Sequence, residues 1–211
     1  GPEDVARYHN LVSSVRILQG RMEAAEAAAR EALAAQPDKI DLQLNLLKVL
    51  LRRGDPGGGE EVNALIEQVG SIEGAAPDLW RVLIDYSLGQ GEWDAAIELS
   101  ARLMGHPSAE WTEKLGYLSL LLSFRPEAVP AFLDSIQSAS PVLIENFARA
   151  LSRAGRHSEL IDWLERPEIE KESESLSYQI AYSLALAELE RWARLGEYLD
   201  EKDWGRSEEH T

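Results

Sequence analysis

The sequence predicts an all-α fold, a stack of about six antiparallel helix pairs. Three observations carry this. First, turn glycines recur: Gly20 to Gly54 is 34 residues, Gly54 to Gly91 is 37, and Gly91 to Gly155 is 64. These spacings are close to one, one and two periods of a helix-pair repeat. Second, each glycine closes a stretch with apolar residues at helical spacing. Third, no segment alternates with the period of two expected of a strand.

The elements follow in order. Segment 3–19 carries Val5, Tyr8, Val12, Val15 and Leu18 as a helical stripe, and Gly20-Arg21 turns it. Segment 22–36 is alanine-rich, with high helix propensity and small faces for close packing. Pro37-Asp38 ends it, and 39–53 follows with Ile40, Leu44, Leu47 and Leu51. Asp55-Pro56-Gly57-Gly58-Gly59 reads as a flexible insertion that stretches one period to 37 residues. A phosphate-binding loop needs Gly-Lys-Ser/Thr after its glycines; Glu60-Glu61 stands there instead.

Helix 60–69 and a short piece near 71–75 come next. Pro77 opens a helix to Leu88 at a position where proline is tolerated. Gly89-Gln90-Gly91 leads into 92–104. Further helices are expected at 108–123, 126–138, 141–153 and 157–165, the last cut short by Pro167. An acidic loop, 166–173, precedes helices 174–189 and 191–201. That makes twelve helices.

Composition narrows the function classes. Hydrophobic residues are 45% of the 211, enough for a buried core. There is no cysteine, which removes disulfides, thiolate metal sites and a cysteine nucleophile. The net charge of −16 opposes nucleic-acid binding, which draws on a basic face. From Asp162 to Thr211 there are 14 acidic and 6 basic residues, a net of −8, so half the excess lies in the last quarter. That end is either a solvated acidic face or a contact for a basic partner. No apolar run approaches the ~20 residues of a membrane span. Gly1-Pro2 looks like a tag-cleavage scar, and a fragment of a longer protein is expected. Compartment is left open.

The residues at the turns resemble those of tetratricopeptide repeats. That motif has a large residue at position 4, a small one at 8, Gly near 15, an aromatic near 17, Ala at 20 and 27 and Pro near 32. The copy from Pro77 places Trp80, Gly91, Trp93 and Ala96 at positions 4, 15, 17 and 20. The copy from Ala6 places Ser13, Gly20, Met22, Ala25, Ala32 and Pro37 at 8, 15, 17, 20, 27 and 32. The other copies depart from the pattern. The copy from Ser108 has Phe124-Arg125-Pro126 where glycine should turn, and the copy from Leu176 has Glu190. The resemblance implies a right-handed superhelical solenoid over 3–205, with repeats at 6–39, 40–76, 77–107, 108–140, 141–173 and 174–205. A polar tail, 206–211, follows. It implies core positions for Trp80, Trp93, Trp111 and Trp192.

Catalytic and metal chemistry find no foothold. His9, His106, His157 and His210 never fall three or four residues apart, so no helical metal pair exists. There is no Gly-x-Ser-x-Gly and no His-Glu-x-x-His. A non-enzyme with no metal and no cofactor is expected.

Members of this family use the concave surface, lined by the first helix of each pair, as a groove for a peptide or partner helix. By that resemblance the groove positions include Asn10, Lys48, Arg81, Asp85, Glu145 and Arg149. One subfamily clamps chaperone C-terminal carboxylates; at its five ligand positions stand Asn10, Ser14, Asn45, Asp78 and Val82, and only Asn45 agrees. The expected function is a protein–protein interaction scaffold or adaptor with a protein or peptide partner. The alternatives are a self-associating repeat, through the apolar stripe of 176–189, or a regulatory helical domain of an enzyme.

Overall fold

A computed structural model of the chain describes residues 1–54 and 59–201. Among these residues there are thirteen α-helices, one 3-10 helix and no strand. The glycine insertion, apart from Gly59, and the polar tail with His210 lie outside the described residues. Two compact units divide the chain, Gly1–Ala109 and Glu110–Thr211.

The first unit holds α1 (Pro2–Leu18), α2 (Met22–Ala35), α3 (Ile40–Arg53), α4 (Gly59–Gly70), α5 (Ala76–Gln90) and α6 (Trp93–Met104). Each first helix packs on its own second helix and on the next first helix: α1 on α2 and α3, α3 on α4 and α5, α5 on α6. That is the connectivity of a helix-pair repeat stack. Small residues set the approach of α1 and α2. Ser13, Ala25 and Ala32 are fully buried, and Ala6 and Ala29 nearly so. The core beyond them is built from Leu47, Val49, Leu50, Leu65, Val69 and Leu79.

The expected stripe on α1 is helical but points the other way. Val5, Tyr8, Val15 and Leu18 are exposed, whereas Ala6, Ser13 and Ile17 face the core. The reason is steric. The alanine face of α2 accepts a helix only at a distance that small side chains allow.

The second unit holds α7 (Trp111–Phe124), a 3-10 turn (Pro126–Ala128), α8 (Val129–Ser135), α9 (Pro141–Arg153) and α10 (His157–Leu164). It continues with α11 (Pro167–Glu170), α12 (Leu176–Glu188) and α13 (Trp192–Glu201). The first helices again stack, α7 on α9 and α9 on α12. Two expectations are corrected here. Helix 126–138 is shorter and broken, because Arg125 leaves helical geometry before Pro126 and the chain restarts through the 3-10 turn. The acidic loop 166–173 contains a helical turn, α11, anchored by fully buried Ile169 and by Arg166, which donates to the Leu133 carbonyl at 2.7 Å.

Four turns share one hydrogen-bond pattern. Arg21, Glu92, Arg156 and Arg191 N–H groups donate to the carbonyls of Arg16, Ser87, Leu151 and Leu186, each at 2.9 Å. This is the Schellman closure, which needs a left-handed residue just before the donor. Gly20, Gly91 and Gly155 supply it with φ of 71, 75 and 69°. At the fourth turn Glu190 does so, with φ 54°. A side chain in that region costs about 1–2 kcal/mol. Glu190→Gly should therefore stabilise the second unit by about 1 kcal/mol, and Gly91→Ala should destabilise the first by about the same. Urea unfolding of both variants, with opposite signs expected, checks the shared geometry.

Tryptophans are the largest departure from the expected core. Trp93, Trp111 and Trp192 are exposed, and Trp80 is only part-buried, edge-on to His106. The fully buried indole is Trp163 on α10, 1% exposed, against Phe147 at 5.4 Å.

Candidate interaction groove

Between successive first helices each unit carries open cavities. In the first unit, one of about 770 Å³ lies at the N-terminal ends of α3 and α5, where Asp38, Asp41, Glu73 and Asp78 outnumber Lys39. A second, of about 270 Å³, lies towards their C-terminal ends, lined by Lys48, Arg52, Asp85 and Tyr86. The charges follow the helix dipoles, acids at the N-termini and bases at the C-termini, which stabilises the helices themselves.

In the second unit a cavity of about 490 Å³ lies between α9 and α12. Its α12 wall is an apolar ladder. Leu176, Ile180 and Leu184 stand on successive turns and are 63, 47 and 59% exposed. Burying such side chains is worth about 1.5–3 kcal/mol each, so leaving three in a row uncovered favours a partner over water. The α9 wall supplies Glu145, Ala148, Arg149 and Arg153. Arg149 donates to Glu145 at 2.6 Å. Arg153 has no ion pair among the described residues.

The ladder is held in place from behind. Tyr178 donates to the Leu164 carbonyl at 3.0 Å, and Tyr182 to Glu165 at 2.8 Å, tying α12 to α10. Arg194 of α13 also bonds Glu165. Burial, and then the hydrogen bond to Glu165, push the Tyr182 hydroxyl up to about 12. Burial also raises Tyr178. A phenol raised in the folded state binds its proton more tightly there than when unfolded. Its contribution is full below the ordinary value near 10 and is lost as pH rises towards 12. The second unit should thus lose stability between about pH 10 and 12. Tyr182→Phe should flatten that fall, read by circular dichroism in urea across the alkaline range.

The groove positions inferred from the family resemblance distribute as follows. Lys48 and Asp85 line one cavity in the first unit, and Glu145 and Arg149 line the α9–α12 cavity. Arg81 donates to Asp78 at 2.7 Å and to the Ser108 carbonyl at 3.1 Å, bracing the loop after α6. Asn10 Oδ1 is buried with no hydrogen-bond partner among the described residues. Asn45 donates to Ser13 at 3.1 Å, joining α3 to α1. The sequence reading passed over Arg153. Its signal was its place four residues after Arg149, on the same helix face.

Histidines stay apart in their contacts. His9 meets Glu31 at 2.7 Å and His106 meets Ser108 at 2.8 Å. Among the described residues no three His, Cys, Asp or Glu side chains are placed to hold a metal ion. None of the described helices is long and apolar enough to cross a membrane.

No known family's sequence profile matches the chain, and no curated protein matches it. Among solved structures it is similar to a tetratricopeptide repeat protein from Parabacteroides merdae ATCC 43184. The two are 12% identical with a TM-score of 0.44, over 94% of this chain and 78% of that one. It is also similar to the flexible tandem repeat domain of a bacterial cellulose synthase, at 16% identity and a TM-score of 0.37, over 93% of this chain and 96% of that one. By its own glycine turns, small-residue helix contacts and stacked first helices, the chain is a tetratricopeptide-like helical repeat.

Proposed function

We propose that this chain is a non-catalytic protein-interaction module that takes a peptide segment or partner helix into the groove between its first helices. The observation that carries the reading is the exposed Leu176–Ile180–Leu184 ladder beside Arg149 and Arg153 around a cavity of about 490 Å³. An apolar floor with a few charged groups on its rim is the usual make-up of a peptide groove. Glu145 and Arg149 would fix register there. Lys48 and Asp85 would serve the corresponding groove of the first unit, with Asn10 and Arg81 on its flanks.

Selection from a random peptide display library tests this. Peptides enriched on the wild-type chain should be lost on Ile180→Asp. Sequences that bind both equally, or no enrichment at all, would remove the groove as the working surface.

A further inference from the structure

The chain carries a second unpartnered apolar helix face, on α1. Tyr8, Leu11, Val15 and Leu18 recur at three- and four-residue steps and are 62, 65, 43 and 87% exposed. Asp4 continues the same face one turn earlier, with its carboxylate in solvent beside the N-terminal ammonium at 2.9 Å. An uncovered row of this length is more than the scattered apolar residues normal on a surface.

This face and the α9–α12 groove match in three respects. The first is length. Tyr8 to Leu18 spans about 15 Å along a helix, and Leu176 to Leu184 about 12 Å. The second is backbone chemistry. The groove walls are helices with their own peptide groups already bonded, and the floor is apolar. An extended segment would lay unpaired N–H and C=O groups on that floor, whereas a helix arrives with its backbone satisfied. The third is charge. Arg153, without an ion pair among the described residues, stands in the last turn of α9, and Asp4 stands in the first turn of α1. Running α1 antiparallel to α9 brings these two together. It also sets the positive end of one helix dipole beside the negative end of the other. The acidic excess elsewhere on the chain is screened beyond about 8 Å at physiological salt, so it does not cancel this local pairing.

We propose that the outward face of α1 of one copy occupies the α9–α12 groove of a second copy. The inference rests on that groove being a helix-binding surface, and it names the occupant. The two surfaces differ, so the contact is heterologous and copies add head to tail.

Sedimentation velocity of the full chain over a wide concentration range tests it. The wild type should grow in size with concentration. Leu11→Asp and Ile180→Asp, both at exposed positions, should each stay monomeric with unchanged circular dichroism. Mixed in equal amounts they should form a 1:1 dimer and nothing larger, because each retains the surface the other lacks. Asp4→Arg should weaken association about tenfold, and adding Arg153→Asp to the same chain should restore it. A wild type that stays monomeric throughout overturns the proposal. So does a mixture that does not dimerise, or association that survives Ile180→Asp. If the wild type is monomeric yet displayed peptides still bind in an Ile180-dependent way, the groove function stands and only this occupant falls.

Discussion

Trp163→Ala should destabilise the second unit by about 3–5 kcal/mol, the range for emptying a buried aromatic site. The indole is 1% exposed and ends a run of ring contacts that crosses four helices. Tyr117 of α7 meets Phe132 of α8 at 4.9 Å, Phe132 meets Phe147 of α9 at 6.0 Å, and Phe147 meets Trp163 of α10 at 5.4 Å. Leu160, Ile161 and Leu164, also on α10, are fully buried, so neighbouring side chains have little freedom to collapse into the space. Trp163→Phe separates volume from polarity. The indole Nε1 is buried with no hydrogen-bond partner among the described residues, so Phe removes an unmet donor along with part of the ring. It should cost about 1 kcal/mol. Urea unfolding followed by circular dichroism reads both. Equal losses for the two variants would mean that the ring run does not carry the unit.

Glu26→Ala should cost the first unit about 2–3 kcal/mol. Its carboxylate, on the α2 face that meets α3, is only 5% exposed and bonds both Arg30 of α2 and Arg53 of α3. Arg30 reaches on to Glu61 of α4 at 2.7 Å, so one network spans three helices. Breaking a fully buried pair costs about 3–5 kcal/mol. Here the arginines are a third to a half exposed, so water recovers part of the loss. Glu26→Gln keeps hydrogen bonding without the charge and should cost about half as much. A loss as large for Gln as for Ala would place the whole effect in charge.

The glycine turns were legible because a left-handed residue is a backbone demand that few side chains meet. Gly20, Gly91 and Gly155 sit where their spacing placed them. Ser13, Ala25 and Ala32 were legible for a related reason, since close helix approach accepts only small residues. Glu190 shows the limit of such reading. Its turn has the same hydrogen bonds as the others, but tertiary context holds a non-glycine in the required conformation.

The tryptophans misled because motif position states where a residue sits on a helix, not what covers it. Trp93, Trp111 and Trp192 sit where the family pattern expects large residues, and no neighbour covers enough of them to bury them. The α1 stripe misled in the same way. A helical period establishes a helix, and which face is inward depends on the facing helix, here the alanines of α2. Of the groove, the first-helix face was legible from repeat register. The ladder stood out less, because Leu176, Ile180 and Leu184 read equally well as core until the structure left them in solvent.

The groove is tested most directly by following backbone amide resonances of the ¹⁵N-labelled chain as a display-selected peptide is added. The account predicts shifts concentrated on Ala148, Arg149 and Ser152 of α9 and on Ile180, Ala181 and Leu184 of α12. Shifts confined to α10 and α13, with the α9 and α12 resonances unmoved, would contradict it.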